Sequence, residues 1–416
     1  MGQQTLSTPD SGTPARAVPR DLRGPILFTG FEPSGDDHAS AVIAELRARH
    51  PDLKMFAWGG PKMERAGATI VERTGDNAVM GMPGLDKIME HRRINRRVEA
   101  WLRANPVALH VPVDSPAANF PICAIARRHG ARVVHLVAPQ VWAWGQWRIG
   151  KLRRLSNHVL CLLPFEQAWF LERDVRATFV GHPLFDHPLD EAALDASVRT
   201  YPTGDAKLAL MPGSRPAEIR KNFPLLLATF RTLRRERPGL VGVVAVTGEP
   251  VERTIRAIAQ STGGWPDGLH VAVRETDAVV RWCEVALVVS GTVTLQIARQ
   301  RRPMAIVYKS SPLFYMLLAR WLLTTEFLTL PNLVAGRQIV PEMVPHFGDE
   351  RDLLREVRVL LDDPRVRERQ SEALGEVCAK FAGHNAARAS ADAIEDMLVE
   401  IEREASGAPA RSPAQA

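Results

Sequence analysis

Cysteine is scarce in this chain, with four in 416 residues. Cys123, Cys161, Cys283 and Cys378 are far apart, match no zinc spacing, and mostly lie in apolar runs, which indicates buried, reduced thiols. Long apolar segments are also lacking. The longest run without a charged residue, 133–147, is shorter than the ~20 apolar residues that a membrane-spanning helix needs. The sequence therefore argues against a disulfide framework, a thiolate metal site and a membrane span, but not against binding to a membrane surface.

Lysine is rare as well, because only eight of the 53 basic residues are Lys and the other 45 are Arg. The formal net charge is +6 and the sequence pI is about 9.4. A basic chain favours anionic partners, which include phosphates, nucleic acid and anionic lipid. Nucleic acid is disfavoured among them, since the basic residues are spread widely and no recognised binding module is present.

Short apolar runs alternate with longer amphipathic stretches, a pattern typical of strand–helix–strand units and a mostly parallel sheet. A first series of runs lies at 25–29, 108–113, 133–137, 158–163 and 177–180. After a polar break, a second series lies at 208–211, 241–246, 270–273, 285–289 and 303–307. The pattern predicts an α/β protein with two Rossmann-like domains, as the length also suggests.

The predicted boundaries follow from these changes in composition. They are an N-terminal domain at 23–186, a linker at 187–205 and a second domain at 206–384. A last helix at 385–404 follows, and its return to the first domain is left open. Residues 1–22 and 405–416 are rich in small and polar side chains, which predicts disordered tails. The first tail also lacks the apolar core of a secretory signal.

Two loops of the second series contain small and hydroxyl residues directly after a strand. One contains Gly213, Ser214 and Arg215, and the other contains Ser290, Gly291 and Thr292. Small residues let backbone amides approach an anion, and a following helix N-terminus favours negative charge. The pair of loops suggests a bound diphosphate, although Ser290 and Thr292 also suit simple helix capping.

The first series carries carboxylates at the corresponding places. Glu32 and Asp36 lie in a loop at 31–38, before a helical pattern at 39–49, and Asp114 follows the apolar residues 111–113. A carboxylate there is able to accept a proton from an attacking hydroxyl, but a lone Asp after a strand is more often a turn or cap residue. Trp142, Trp144 and Trp147 precede a basic stretch, which suits sugar or phosphate binding or a plain core.

Several segments, in consistent order over about residues 24–400, resemble the lipid-A-disaccharide synthase family. They are Phe-Glu-Pro-Ser-Gly-Asp at 31–36, Trp-Gly-Gly-Pro-Lys-Met at 58–63, Asp-Ser-Pro at 114–116, Ala-Pro-Gln-Val-Trp-Ala-Trp at 138–144, Leu-Pro-Phe-Glu at 163–166, Val-Gly-His-Pro at 180–183, Met-Pro-Gly-Ser-Arg at 211–215, Ser-Gly-Thr at 290–292 and Leu-Pro-Asn-Leu-Val-Ala-Gly-Arg at 330–337. The Trp-rich and Leu-Pro-Asn segments are the most specific of these.

This resemblance implies a GT-B fold, with two Rossmann-like domains whose parallel sheets face each other across a cleft. It implies an inverting transfer of 2,3-diacylglucosamine from its UDP derivative to the 6-hydroxyl of 2,3-diacylglucosamine 1-phosphate (lipid X), giving the β-1,6 disaccharide 1-phosphate and UDP. No metal or other cofactor is expected. The resemblance also implies a cytoplasmic enzyme, peripheral on the inner membrane surface, and leaves a homodimer open.

The resemblance assigns roles to matched positions. Asp114 becomes the candidate general base. The expected acceptor side consists of Glu32, Ser34, Asp36 and Asn119. The expected UDP side consists of Gly213, Ser214, Arg215, Ser290, Gly291, Thr292, Gln296 and Asn332.

Four positions depart from the family pattern, namely Phe31, Ala117, Gln296 and Pro345. Gln296 stands where a ribose-binding Glu is expected, and a neutral hydrogen bond has about half the strength of a charge-assisted one. Alternative interpretations are therefore a diverged GT-B paralogue with another lipid or sugar substrate, and a catalytically silent paralogue that binds only UDP or lipid.

Apolar residues beside basic ones suggest a membrane-surface patch. The predicted patch consists of Val79, Met80, Met82, Leu85, Ile88, Met89, Arg92 and Arg93. A second apolar stretch lies at 312–323. Ordinary core helices are the alternative for both.

Overall fold

The computed structural model describes residues 22, 24–74, 85–310 and 325–407. The strands in these residues are β1 (Ile26–Thr29), β2 (Met55–Gly59), β3 (Thr69–Arg73), β4 (Leu109–Pro112), β5 (Arg132–Leu136), β6 (His158–Cys161), β7 (Ala177–Phe179), β8 (Ala206–Met211), β9 (Leu240–Val246), β10 (Leu269–Val273), β11 (Val285–Val289), β12 (Met304–Lys309) and β13 (Glu342–His346).

The α-helices of the same residues alternate with these strands. They are α1 (Pro33–Arg49), α2 (Pro61–Arg65), α3 (Leu85–Ala104), α4 (Pro116–Arg128), α5 (Ile149–Leu155), α6 (Glu166–Leu171), α7 (Glu191–Val198), α8 (Pro216–Glu236), α9 (Glu249–Ser261), α10 (Thr276–Trp282), α11 (Val293–Arg299), α12 (Leu330–Ala335), α13 (Arg351–Asp362), α14 (Pro364–Ala379) and α15 (Ala386–Ala405).

The chain divides into two compact units. Unit 1 comprises residues 1–136, 155–157 and 390–416, and unit 2 comprises residues 137–154 and 158–389. This division differs from the predicted domain boundary near residue 186, because the segment from Val137 onward already belongs to unit 2. The last helix, α15, is divided at Ser390, and most of it belongs to unit 1.

In unit 1 the strands lie in the order β3-β2-β1-β4-β5, and each neighbouring pair is parallel. The connection reverses direction between β1 and β4, which is the point where open α/β sheets bind ligands. Apolar side chains of β1, β2, α3 and α4 form the core, and Trp101 contacts both Phe56 and Trp58 edge to face.

In unit 2, β6 pairs with β7, and six further strands lie in the order β10-β9-β8-β11-β12-β13, all parallel. The reversal here lies between β8 and β11. Leu208 and Leu210 face one core and Ala209 and Met211 face another. Because the sheet is buried on both faces, its strands appear in the sequence as continuous apolar runs.

All ten predicted apolar runs correspond to strands, whereas β2, β3 and β13 were missed. The exposed or half-buried positions of β3 and β13 explain two of these omissions, because neither strand is a continuous apolar run. β2 is almost fully buried but only five residues long. Its closing Trp58 and Gly59 lie in the resemblance segment at 58–63, which was not assigned to a strand.

Residues 187–205 were predicted to be a linker, and in the structure they lie within unit 2. They contain α7, which packs on α10 within unit 2. Arg281 of α10 forms ion pairs with Glu191 and Asp195, each at 2.8 Å. The polar composition of the segment reflects a solvent-facing helix surface rather than a flexible connection.

The first helix begins at Pro33, six residues before the predicted start. Pro has no backbone N–H to lose and is favoured at the first position of a helix. The same arrangement starts α4 at Pro116 and α8 at Pro216. In each case a site loop ends at the residue before the proline, so that Ser34 and Asp36 lie in the first turns of α1 rather than in a loop.

Candidate functional site

The loops that follow β1 and β4 meet at the reversal point of the unit 1 sheet. The backbone N–H of Val113 donates to Thr29 at the end of β1. Beyond these strands, the hydroxyl of Ser115 donates to a carboxylate oxygen of Glu32 at 3.0 Å. Asp114 lies between these two links, so that the carboxylates predicted for the acceptor side and for the general base share one end of the sheet.

Asp114 and Ser115 both have left-handed backbone conformations, with φ of 48° and 40°. This conformation is unfavourable for residues with a side chain and persists only where surrounding contacts impose it. Here the N–H of Asp114 donates to Leu136 at 3.0 Å, and the side-chain amide of Asn119 donates to the carbonyls of Val113 at 3.0 Å and Asp114 at 2.8 Å. The loop thus holds Asp114 in a strained turn that the fold imposes.

Asn119 was predicted to lie on the acceptor side, and in the structure its side chain bonds to protein groups of unit 1. Its side chain is fully buried, and its amide oxygen accepts a hydrogen bond from the hydroxyl of Thr29 at 2.7 Å. Its NH₂ group donates to two carbonyls of the loop, so Asn119 supports the backbone of the Asp114 turn.

Asp36, also predicted for the acceptor side, likewise bonds within unit 1. Its two carboxylate oxygens accept the backbone N–H groups of Lys62 and Met63, each at 3.0 Å, and the residue is buried. These are orphan donors at the start of α2, so that Asp36 satisfies them as a capping side chain from another helix. By contrast, Ser34 is exposed at the start of α1, where it remains a candidate.

His38 is a residue of this region that the sequence did not single out. It lies in α1 and is partly buried. Burial lowers its pKa below the ordinary value, while the nearby Asp114 and Asp37 carboxylates oppose that change. The sequence offered only a weak signal, a histidine two residues after a motif carboxylate, and nothing in it indicated proximity to Asp114.

Two more histidines lie deeper in the same sheet. The ring of His110 on β4 is hydrogen-bonded at 2.9 Å to Thr29, and His135 lies on the neighbouring strand β5. Burial lowers the pKa of each to about 3, so both are neutral around pH 7. They therefore contribute no positive charge beneath the Asp114 turn.

The unit 2 sheet brings its two predicted phosphate loops together in a similar way. β8 pairs with β11, so the loop at Gly213, Ser214 and Arg215 and the loop at Ser290, Gly291 and Thr292 follow adjacent parallel strands. Gly213 has φ of 94°, and a Cβ on it would lie 3.8 Å from Val289. Only glycine takes that conformation readily, so the turn after β8 favours glycine at this position.

The side chains of these loops face the solvent. Ser214, Arg215 and Thr292 are exposed, and a Cβ on Gly291 would meet open space. Arg215 forms an ion pair at 3.1 Å with Glu218, one turn into α8. Tyr308 on β12 was not predicted, but it lies within electrostatic reach of both: burial raises its pKa, Glu218 raises it further and Arg215 opposes the rise.

Asn332 was predicted to contact UDP, and in the structure its side chain bonds within unit 2. It is fully buried, and its amide oxygen accepts the backbone N–H groups of Ile339 and Val340 at 2.8 and 3.0 Å. Its amide nitrogen donates to Val340 and to Glu342, at 3.0 and 2.8 Å. With all four bonds made internally, Asn332 holds α12 to the start of β13, whereas Gln296 on α11 is half-buried and keeps its candidate role.

The Trp-rich segment contains both core and surface residues. Trp142 is buried and donates its indole N–H to Glu166 at 2.8 Å, and the other oxygen of Glu166 accepts the N–H groups of Leu162 and Leu163. Trp144 and Trp147 are exposed, and the guanidinium of Arg148 lies 3.9 Å from the centre of the Trp144 ring. The core interpretation is therefore right for the first tryptophan only.

The predicted membrane patch is described only in part. Val79, Met80 and Met82 lie outside the described residues, as do the side chains of Leu85 and Ile88 and the second apolar stretch at 312–323. Met89 is 47% exposed, and Arg92 and Arg93 are exposed on the same helix, α3. None of the helices in the described part of the chain combines the length and apolarity needed to cross a bilayer.

Within the described ranges, no group of three or more His, Cys, Asp or Glu side chains is arranged to hold a metal ion.

Comparison with known proteins adds independent information. A family model described as lipid-A-disaccharide synthetase matches residues 26–393. A lipid-A-disaccharide synthase of Geobacter sulfurreducens is 31% identical over 381 residues, which cover 90% of this chain and 97% of that protein. A lipid-A-disaccharide synthase of Pseudomonas aeruginosa is 35% identical over 385 residues, covering 91% and 98%.

Solved structures with a similar fold are more distant in sequence. The UDP-GlcNAc 2-epimerase of Neisseria meningitidis, bound to UDP-GlcNAc, superposes with a TM-score of 0.61 at 11% identity, covering 90% of this chain and 99% of that one. The glycotransferase of kitacinnamycin superposes with a TM-score of 0.60 at 17% identity, covering 90% and 99%. At these identities the similarity establishes the fold, which is the predicted GT-B fold.

Proposed function

This chain belongs to the lipid-A-disaccharide synthetase family and is a glycosyltransferase of GT-B fold, and we propose that it joins two acylated glucosamine units. The donor is UDP-2,3-diacylglucosamine and the acceptor is lipid X, whose 6-hydroxyl attacks the sugar carbon C1 with inversion. The products are the β-1,6 disaccharide 1-phosphate and UDP. The observation that carries the proposal is that each unit brings its motif loops together at the reversal point of its sheet.

Unit 2 is the donor side in this proposal. The amides of the Gly213–Arg215 loop and the hydroxyls of Ser290 and Thr292 bind the diphosphate, and Gln296 binds the ribose. Support comes from the exposure of these loops at the ends of adjacent parallel strands. Arg215 contributes a planar guanidinium suited to phosphate oxygens. Asn332 acts indirectly, by holding α12 and β13 in place.

Unit 1 is the acceptor side. Asp114 is the general base that removes the proton from the 6-hydroxyl, and Glu32 and Ser34 contact the acceptor sugar. The strained turn supports this assignment, because such conformations cluster at functional sites and pre-orient a side chain. A positioned base contributes about 10²–10⁴-fold to the rate.

No metal or cofactor takes part in the proposed transfer. The negative charge that develops on the leaving diphosphate is balanced by Arg215 and by the backbone amides at the start of α8, a helix of 21 residues. Oriented donors at a developing charge supply roughly 3–4 kcal/mol each in transition-state stabilisation.

The lipid substrates place the proposed reaction at the cytoplasmic face of the inner membrane. The exposed Met89, Arg92 and Arg93 on α3 support contact with an anionic surface, where each basic side chain contributes about 1 kcal/mol. A homodimer remains part of the proposal, to be tested by sedimentation.

The test is a disaccharide-forming assay with radiolabelled UDP-diacylglucosamine and lipid X, and related UDP-sugars as competitors. We expect Asp114→Asn to lower turnover by roughly 10²-fold or more, the contribution of a general base, while UDP affinity stays the same. Asp52→Asn, an exposed aspartate of unit 1, is the control. Near-normal turnover by the Asp114 variant would exclude Asp114 as the base.

A second candidate is a diverged paralogue that transfers another sugar or uses another lipid. Gln296 favours it, since a ribose contact is weaker without the carboxylate. Two other departures are less telling, because Phe31 packs partly against the unit 1 core and Ala117 is exposed in the first turn of α4. Turnover of another UDP-sugar with no turnover of UDP-diacylglucosamine would establish this candidate.

A further inference from the structure

The first turns of α1 pack directly against the end of β4. A Cβ placed on Gly35 would lie 3.7 Å from the carbonyl oxygen of Val113, the residue before Asp114. This is an ordinary contact distance, so the helix backbone itself reaches the base of the Asp114 turn. The Ser115–Glu32 hydrogen bond links the start of the same helix to the other side of the turn.

His38 is three residues beyond Gly35 and therefore lies on the same face of α1. Its imidazole is partly buried, and the Asp114 carboxylate is close enough to act on it electrostatically. Two other charged residues lie in this region. Asp37 precedes His38 on α1, and Lys62 of α2 forms an ion pair with Asp37.

A neutral imidazole beside a carboxylate has a definite use in a reaction that releases a proton. Imidazole is ordinarily a stronger base than carboxylate, so a proton taken up by the carboxylate is able to pass to a neighbouring neutral imidazole. The lowered pKa of His38 keeps its ring neutral, and hence ready to accept, at neutral pH.

We propose that His38 is the proton-accepting and positioning partner of Asp114, an inference that rests on the proposed function. The O–H bond of the acceptor 6-hydroxyl breaks, and its electron pair forms the bond to C1 of the donor sugar. The bond from C1 to the diphosphate oxygen breaks, and its electron pair leaves with UDP. The proton moves to Asp114 and from there to His38, which returns it to water.

His38→Gln tests this role, because glutamine keeps a hydrogen-bonding side chain but accepts no proton. With UDP-diacylglucosamine and lipid X we expect kcat to fall roughly tenfold or more, at the lower end of what acid–base partners contribute. KM for both substrates and the affinity for UDP stay within about twofold, since His38 touches neither substrate in the proposal. His129→Gln, at the end of α4 in the same unit, is the matched control and keeps the wild-type rate.

The pH profile distinguishes proton transfer from a structural role. The wild-type kcat falls as pH decreases through the pKa of His38, and in His38→Gln this acid limb is lost or moves to lower pH. Asp37→Asn is a milder variant on the exposed side. Since the Asp37 charge raises the pKa of His38, its removal shifts the acid limb to lower pH while the protein keeps its fold.

Three outcomes distinguish the proposed role of His38 from the proposed function of the protein. Normal kcat and an unchanged acid limb in His38→Gln, with Asp114→Asn inactive, overturn the role of His38 and leave the proposed function standing. Loss of UDP affinity or of thermal stability in His38→Gln, with no shift of the acid limb in Asp37→Asn, makes His38 a structural residue only. An active Asp114→Asn removes the proposed base and with it this inference.

Discussion

Two asparagine side chains, Asn119 in unit 1 and Asn332 in unit 2, bond to the backbone of segments at the ends of strands. Each is fully buried and has both its oxygen and its nitrogen engaged. A buried amide with satisfied hydrogen bonds rigidifies its surroundings, whereas a half-satisfied one costs about 1–3 kcal/mol. Such residues support a site without touching its ligand.

Gln296 stands where the family pattern has a ribose-binding Glu, so this position offers a direct test of the proposed ribose contact. We expect Gln296→Glu to strengthen UDP binding, because a charged acceptor makes hydrogen bonds about twice as strong to ribose hydroxyls. Isothermal titration with UDP measures the change, and Gln260→Glu, an exposed residue on α9 of the same unit, is the control. Weaker UDP binding by the Gln296 variant would show that Gln296 does not contact the ribose.

Glu166 links two elements through one buried carboxylate. It receives the indole N–H of Trp142 from the segment after β5 and two backbone N–H groups from the segment after β6. Burial raises its pKa from 4.5 to about 7, against the opposing effect of those three hydrogen bonds. The folded state therefore binds a proton at Glu166 more tightly than the unfolded chain does.

This difference makes the contribution of Glu166 to stability depend on pH. A raised folded-state pKa gives stability that is fully present below 4.5 and is lost as pH rises to about 7. We expect the unfolding free energy of wild type relative to Glu166→Gln to fall across that window, by an amount of the order of a few kcal/mol. Denaturant titrations at several pH values measure it.

Glu172→Gln is the control for this series, because Glu172 is an exposed residue just after the same helix, α6. Its difference from wild type is expected to vary little between pH 4.5 and 7, the window set by Glu166. A Glu166→Gln difference that is equally flat would mean that the carboxylate titrates normally in the folded protein.

At the scale of the whole molecule, the chain returns to unit 1 at its end. Glu395 of α15 is 1% exposed and bonds to Arg49 at 3.1 Å and to His50 at 3.0 Å, both at the end of α1. These contacts join residues that are about 345 positions apart in the chain. The fold of unit 1 therefore includes the last helix, α15.

We expect Glu395→Ala to destabilise unit 1 by about 1–3 kcal/mol, because it leaves the buried imidazole of His50 without its hydrogen-bond partner and removes one of the three carboxylates around Arg49. Glu404→Ala on the same helix removes only an exposed ion pair with Arg132 and should cost at most about 1 kcal/mol. Hydrogen exchange of α1 and α15 measures both changes. Equal protection in the two variants would contradict a structural role for the Glu395 cluster.

The sequence by itself determined the fold class, ten of the strands and the position of the site loops. It did so because strands buried on both faces are continuous apolar runs and because glycine, proline and hydroxyl residues mark the turns between them. Asp114, Gly213 and Thr292 were identifiable for this reason. Each of these residues lies in a short loop that can be recognised from neighbouring positions in the sequence.

Only the tertiary structure decided which side chains are exposed at the site and which form hydrogen bonds that hold the loops. Asp36, Asn119 and Asn332 have the residue types of ligand contacts, yet each satisfies backbone groups that the sequence does not show to be nearby. Long-range packing also brought His38 within electrostatic reach of Asp114 and placed Glu395 beside Arg49. Hydrogen-bond satisfaction in a buried environment is a property of three-dimensional neighbours, which periodicity along the chain does not specify.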